Sequence, residues 1–310
     1  MKENKSAYKT RFEWSYLKPA YWPSWLAVFF LLLVALLPLS VSDKLAYLLG
    51  GLARRVNAKR RRIARRNIEL CFPSLSTEEK KNFLRRNFRA QIRSVLHYGV
   101  FWWMPVPILK RYFEIRGQEY IEASRQAGRS VILLTAHSVA LEASLAISYY
   151  YPVTGFIKTI KNKLTNWLVF CGRSRLGAVL YRREAGLRPI IKDVRAGQVL
   201  LYFVDEDLGR ERSLFAPFFG VEKATVPVLG RLADICNADV LPCMSCYDEK
   251  QHKYIINIMP PIDDFPQGDD SLDAVKMNQY LERAVNLCPE QYFWTFKLFR
   301  TRPDEDDKLY

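Results

Sequence analysis

Acidic residues are scarce in this chain: 32 aspartates and glutamates face 47 lysines and arginines, a formal net charge of +15 over 310 residues. That imbalance calls for an anionic partner, whether nucleic acid, an acidic membrane surface, a phosphorylated substrate or an acidic carrier protein. Cysteine is sparse as well. The six, at 71, 171, 236, 243, 246 and 288, lack the spacing of a small disulfide-bonded domain, and several sit inside apolar runs. The expectation is therefore buried, reduced thiols in a cytoplasmic compartment. Cys243-Met-Ser-Cys246 has the two-residue gap of a zinc knuckle, but no second pair accompanies it and no metal is expected. There is no Gly-x-Ser-x-Gly elbow, no phosphate-binding glycine loop and no dinucleotide fingerprint. Those absences count against serine-hydrolase chemistry, nucleotide hydrolysis and hydride transfer. No internal repeat or low-complexity segment is visible.

The N-terminal region narrows the choice of anionic partner. Pro19 to Ser42 carries no charge, and Tyr21, Trp22 and Trp25 stand at the front of its most apolar part. A hydrocarbon core of about 30 Å needs roughly 20 residues of helix, so residues 21–42 read as a membrane anchor. Residues 1–20 then form an N-terminal tail. Arg54, Arg55, Lys59, Arg60, Arg61, Arg62, Arg65 and Arg66 follow within thirteen positions, beside an apolar face of Leu52, Val56, Ile63 and Leu70. Residues 43–72 therefore read as a basic amphipathic helix on an anionic membrane surface. Base-stacking aromatics and a groove-entering motif are missing from this block, so no nucleic acid is expected. Its charge places the remainder of the chain on the cytoplasmic face.

Residues 73–310 read as one catalytic domain. Ser76 and Glu79 form a capping box at a helix start. Beyond it, apolar strand-like runs at 113–117, 131–135, 153–157, 179–181, 199–204, 239–246 and 254–259 alternate with helical patterns. Alternation of this kind predicts an α/β fold, a largely parallel sheet covered by helices on both faces.

Chemistry is expected at the carboxyl ends of those strands. The run ending Leu-Thr-Ala-His137 is followed five positions later by Glu142, a general base with an acid about one helical turn away, as acyl transfer to a hydroxyl requires. The chain has only three histidines, which gives this one weight. The run at 199–204 ends in Asp205-Glu-Asp207-Leu-Gly209, which reads as a divalent-metal turn, as a carboxylate supporting the histidine or binding substrate, or as a solvated turn. Arg173 and Arg175 lie between two elements and are candidates for clamping a phosphate. Phe215-Ala-Pro-Phe-Phe-Gly220 reads as an aromatic turn, core or an apolar wall beside the site.

Taken in order, several motifs resemble the late acyltransferases of lipid A biosynthesis, the lauroyl and myristoyl transferases of Gram-negative bacteria. They are Tyr21-Trp22, Arg65-Arg-Asn-Ile-Glu-Leu-Cys-Phe-Pro73, His137-x4-Glu142, Asp205-Glu-Asp-Leu-Gly209 and Phe215-Ala-Pro-Phe-Phe219. Ala224-Thr225, Pro289-Glu-Gln-Tyr-Phe-Trp294 and Arg300-Thr-Arg-Pro303 complete the series. Lys223 to Arg231, with Tyr247 to Asp264, looks closer to the myristoyl-type branch. The resemblance implies a glycerolipid-acyltransferase-like fold at the bacterial inner membrane. It implies an acyl carrier protein thioester as donor, no cofactor, and a hydroxyacyl chain of a Kdo-bearing lipid A precursor as acceptor. His137 would deprotonate the acceptor hydroxyl and Glu142 would orient the imidazole. Arg175, with Arg173 second, would bind phosphate or meet developing negative charge, and Asp205 and Asp207 would bind substrate. Two alternatives stand beside this: transfer to another membrane acceptor, such as a glycerophospholipid or a phosphatidylinositol mannoside, and a non-catalytic membrane-surface protein whose His137 and Glu142 are a satisfied buried pair.

Overall fold

The computed structural model describes residues 7–304 and 306–310. Its helices are α1 (Trp22–Ala35), α2 (Leu39–Val56), α3 (Ala58–Cys71), α4 (Thr77–Trp103), α5 (Val106–Leu109), α6 (Gln118–Gln126), α7 (Leu141–Ser144), α8 (Lys163–Ser174), α9 (Arg188–Arg195), α10 (Leu229–Cys236) and α11 (Asp270–Val285). Its strands are β1 (Phe113–Arg116), β2 (Ser130–Thr135), β3 (Val153–Ile157), β4 (Val179–Arg182), β5 (Val199–Phe203), β6 (Leu214–Phe218), β7 (Val221–Thr225), β8 (Ala238–Asp248) and β9 (Lys253–Ile258).

Seven strands form one sheet in the order β1-β9-β8-β2-β5-β3-β4. Five run in one direction; β9 turns back antiparallel to β8, and β1 pairs parallel with β9. The predicted largely parallel, doubly covered sheet is what forms. Near-continuous runs such as Val-Ile-Leu-Leu in β2 belong in this setting, because a strand between two helical layers buries both faces. Ile132 and Leu134 enter one core with α3, α9, α10 and α11, while Val131 and Leu133 enter the other with α7, α8 and the second half of α4.

Three expectations need correction. Residues 21–42 do not form one helix: α1 ends at Ala35, and Pro38 caps a new helix. At 1.5 Å per residue α1 is about 21 Å long, and no helix of the described residues is long and apolar enough to cross a membrane. The basic block is likewise two helices, α2 and α3, broken at Asn57, whose side chain accepts from the Arg60 amide. Both α1 and α2 lie on α4, and two glycines allow the close approach. A Cβ on Gly99 would stand 2.7 Å from the Leu31 carbonyl oxygen, and one on Gly50 would stand 2.7 Å from Arg89 Cα.

The second correction is that Phe215–Gly220 is not simply an aromatic turn. It is nearly all of the first strand and the turn of a β-hairpin, β6 paired with β7, turning through Phe219 (φ 50°) and Gly220 (φ 72°). Val221–Thr225 is the second strand of this hairpin, and α10 follows it from Leu229. Third, the cysteines are not all thiols: Cys246 and Cys288 are disulfide-bonded, while Cys71, Cys171, Cys236 and Cys243 are free. Folding carries the turn after α11 to β8 across 42 residues, a proximity that spacing does not reveal. Of the stretch read as a tail, residues 1–6 lie outside the described residues. The rest packs on the domain: Tyr8 donates its amide to the Leu180 carbonyl, and its hydroxyl accepts from Asn166.

Candidate functional site

Parallel register brings the two strand ends that carry the candidate residues together. Thr135 of β2 is the partner of Phe203 of β5, so His137 and Asp205 leave the sheet side by side, each two residues further on. His137 Nδ1 lies 2.6 Å from Asp205 Oδ1, and the His137 amide donates to Asp205 Oδ2 at 2.9 Å. A carboxylate on Nδ1 fixes the tautomer in which Nε2 carries the lone pair. Burial pulls the His137 pKa down, but the Asp205 charge and its hydrogen bond outweigh that, with Glu206 adding to them, and the net shift is upward. Burial raises Asp205, but the charge and hydrogen bonds of His137, helped by wholly buried Lys223, bring it below the ordinary carboxylate range.

The peptides around His137 are held from the opposite side by the segment after α11. Phe293 donates its amide to the His137 carbonyl, and Val139 donates to the Gln291 carbonyl. This segment is itself pinned by two wholly buried asparagines. Asn87 of α4 donates to the Glu290 and Tyr292 carbonyls, both at 2.8 Å, and Asn67 of α3 donates to Trp294 and Phe296, both at 2.7 Å. Arg60 of the basic block adds a bond to the Thr295 carbonyl. Removing the Asn67 side chain takes the donor from the Trp294 and Phe296 carbonyls, and removing Asn87 takes it from the Glu290 carbonyl, since Tyr292 also accepts from the Trp294 amide; each carbonyl left unpaired costs about 1–3 kcal/mol. The Arg65–Pro73 and Pro289–Trp294 motifs thus share one task, supporting the backbone behind the histidine.

Glu142 was expected on the imidazole; the structure puts it elsewhere. It starts α7 as predicted, yet its Oε1 accepts from Arg173 Nε (2.9 Å) and Nη2 (2.6 Å), and its Oε2 accepts from Trp102 Nε1 at 2.9 Å. Asp205 occupies the imidazole position in its place. The two arginines also separate. Arg173 lines the cavity in front of His137, whereas Arg175 donates to the Phe101 and Met104 carbonyls at the end of α4. Asp207, expected at the substrate, accepts from the Thr301 amide and hydroxyl at 2.7 and 2.8 Å and from the Gly209 amide. Its carboxylate clasps the Arg300–Pro303 motif to the turn after β5. Among the described residues no group of three or more His, Cys, Asp or Glu side chains is placed to hold a metal ion.

The cavity at His137 has a volume of about 310 Å³. Lys158, Arg183, Arg212 and Arg173 supply positive charge to its walls, while Leu141, Phe156, Leu201 and Phe203 make part of it apolar. Arg183 also holds Glu206 at 2.5 Å. Lys158, Arg183 and Arg212 are not legible in the sequence, because single basic residues in loops carry no periodic signal; Trp102 belongs to the aromatic cluster at 98–103, which reads as core or a lipid-facing rim and gives no sign of its bond to Glu142.

A protein-family model described as bacterial lipid A biosynthesis acyltransferase matches residues 9–301. A Haemophilus influenzae protein named lipid A biosynthesis acyltransferase is 34% identical over 302 residues, 97% of this chain and 94% of that one. The lipid A biosynthesis myristoyltransferase of Escherichia coli K12 is 33% identical over 303 residues, 97% of this chain and 94% of its own. The lauroyltransferase of the same organism is 32% identical over 296 residues, 95% and 96% of the two chains. Identity therefore does not separate the myristoyl from the lauroyl branch.

Proposed function

The chain belongs to the bacterial lipid A biosynthesis acyltransferase family and is an acyltransferase, and on that premise we propose how its site works. The donor is a lauroyl or myristoyl thioester of acyl carrier protein, and the acceptor is a hydroxyl on a hydroxyacyl chain of a Kdo-bearing lipid A precursor. His137 Nε2 takes the proton of that hydroxyl. The alkoxide oxygen attacks the thioester carbonyl, a new C–O bond forms, and the C–S bond breaks. The imidazolium returns the proton to the departing thiolate, with no acyl-enzyme between. Asp205 holds the imidazole and stabilises its charged form. Arg173, held by Glu142, to which Trp102 also donates, meets the negative charge that develops on the thioester oxygen. Lys158, Arg183 and Arg212 suit the phosphates of donor and acceptor.

The observation that carries this reading is the His137–Asp205 pair opening onto a cavity whose lining combines Lys158, Arg173, Arg183 and Arg212, with Glu206 held by Arg183, and apolar side chains. Mass spectrometry of lipid A from cells with and without the gene tests it. Loss of one secondary acyl chain of 12 or 14 carbons, restored by the wild-type gene but not by the His137→Ala form, is the expected result. An unchanged number and length of secondary chains sinks the lipid A assignment.

Membrane-associated lipid A synthesis is implied by the relatives, and we read α1 and α2 as the seat on the lipid. Leu26 and Phe29 of α1 and Leu36 just after it are 59–69% exposed, and Leu48, Leu52 and Val56 of α2 are 56–72% exposed. An apolar surface of that extent beside a basic helix fits a helix pair lying within one leaflet, its arginines at the anionic headgroups. Each leucine withdrawn from water contributes about 1.5–3 kcal/mol. The Leu48→Glu, Leu52→Glu double variant should therefore float with anionic vesicles at least about tenfold more weakly than wild type. Equal flotation would remove this surface from the reading.

A further inference from the structure

On the face of the sheet toward α7 and α8, one side chain is missing. Val153 and Ile157 of β3 enter the core on that face, and between them stands Gly155, paired with Leu180 on β4 and Leu201 on β5. All four neighbours are branched aliphatics, so the glycine leaves a notch in a row of packed side chains. The notch is the floor of a narrow apolar cavity of about 30 Å³, walled also by Leu141 and Leu145. This slot shares Leu141, Phe156, Arg173, Leu201 and Phe203 with the larger cavity at His137. Backbone conformation does not demand the glycine, which lies in regular strand and whose added Cβ would meet nothing closer than the Leu201 carbonyl at 3.4 Å. The open volume is what its lack of a side chain provides.

We propose that the methyl end of the transferred acyl chain lies in this slot and that Gly155 sets the chain length. The inference rests on the acyltransferase reading above. The argument is continuity. The carbonyl must stand between His137 and Arg173, and Arg173 lines both cavities, so a chain running inward from the reacting carbon passes along Leu141 and Phe203 to reach Gly155. A wall that a chain overhangs by one methylene changes discrimination by about 10- to 200-fold.

Two variants with opposite effects test it in the full-length protein, using acyl carrier protein thioesters of 8 to 16 carbons. Gly155→Val fills the slot, and the preferred donor should shorten by about two carbons, the ratio of short to long transfer rising at least about tenfold. Leu145→Ala enlarges it, and the preference should move toward longer donors. Poor folding would lower every donor in proportion; proportional loss in both variants, with ratios unchanged, overturns the proposal. So does a shift in the preferred acceptor chain with the donor profile unmoved, which would assign the slot to the acceptor. Wild type that transfers no chain from any donor defeats the acyltransfer reading itself, whereas wild type that transfers and variants that do not shift defeat only the slot.

Discussion

Replacing Asp205 by asparagine is expected to lower acyl transfer by about 10²- to 10⁴-fold, the range for a positioned general base. The amide preserves shape but offers no charge to the imidazolium and no guarantee of the productive tautomer. Because the two residues act as a unit, the His137→Ala, Asp205→Asn double variant should retain about the activity of His137→Ala alone. The pH profile gives a second readout. In the proposed mechanism transfer requires neutral His137, so the rate climbs as pH rises through its pKa, and in the wild type that pKa lies above the usual histidine value because Asp205 and its neighbours overcome burial. Without the carboxylate, burial dominates and the rising limb should move to lower pH. The associated stability has the sign of a raised histidine: it is present below the unfolded-state value of about 6.5 and lost as pH rises through the folded one. Rate-versus-pH curves for wild type and Asp205→Asn check this; a limb that stays put would exclude Asp205 as the residue that tunes the base.

The second large effect concerns Glu142 and Arg173. Glu142 is 4% exposed and Arg173 25%, so removing one partner leaves a charge with little water around it. Glu142→Ala is expected to lose about 3–5 kcal/mol of stability and, with Arg173 released from position, about 10²–10³ in rate. A replacement of both, Glu142→Leu with Arg173→Met, removes the unpaired charge and should recover most of the melting temperature. Activity should not recover, because the guanidinium proposed to meet the thioester oxygen is gone. Thermal melts and transfer assays on the three forms distinguish the roles: activity that returns with stability in the double variant would make the pair structural only.

The two strand ends show how much of the site could be read beforehand. His137 and Asp205 each follow a buried apolar run, and both were marked as chemistry at strand ends. Which carboxylate reaches the imidazole was not legible, because that depends on β2 pairing with β5 and on the register that aligns Thr135 with Phe203. The spacing from His137 to Glu142 invited a local partnership. The β-hairpin at Leu214–Thr225 was likewise hidden, since its aromatic residues serve equally well in a turn.

From its own residues the chain determined the α/β class, the apolar strands, the capping box at Ser76–Glu79 and the histidine that stands just past the end of a buried strand. Each of these is written in local periodicity or in a short-range hydrogen bond, and needs no knowledge of distant segments. Tertiary structure alone decided that Asp205 serves His137, that Glu142 serves Arg173, and that Cys246 meets Cys288. It also decided that α1 and α2 lie across α4 as a broken pair rather than as one span. These are pairings between residues tens of positions apart, and strand register and helix packing, not spacing, bring such residues within hydrogen-bond reach.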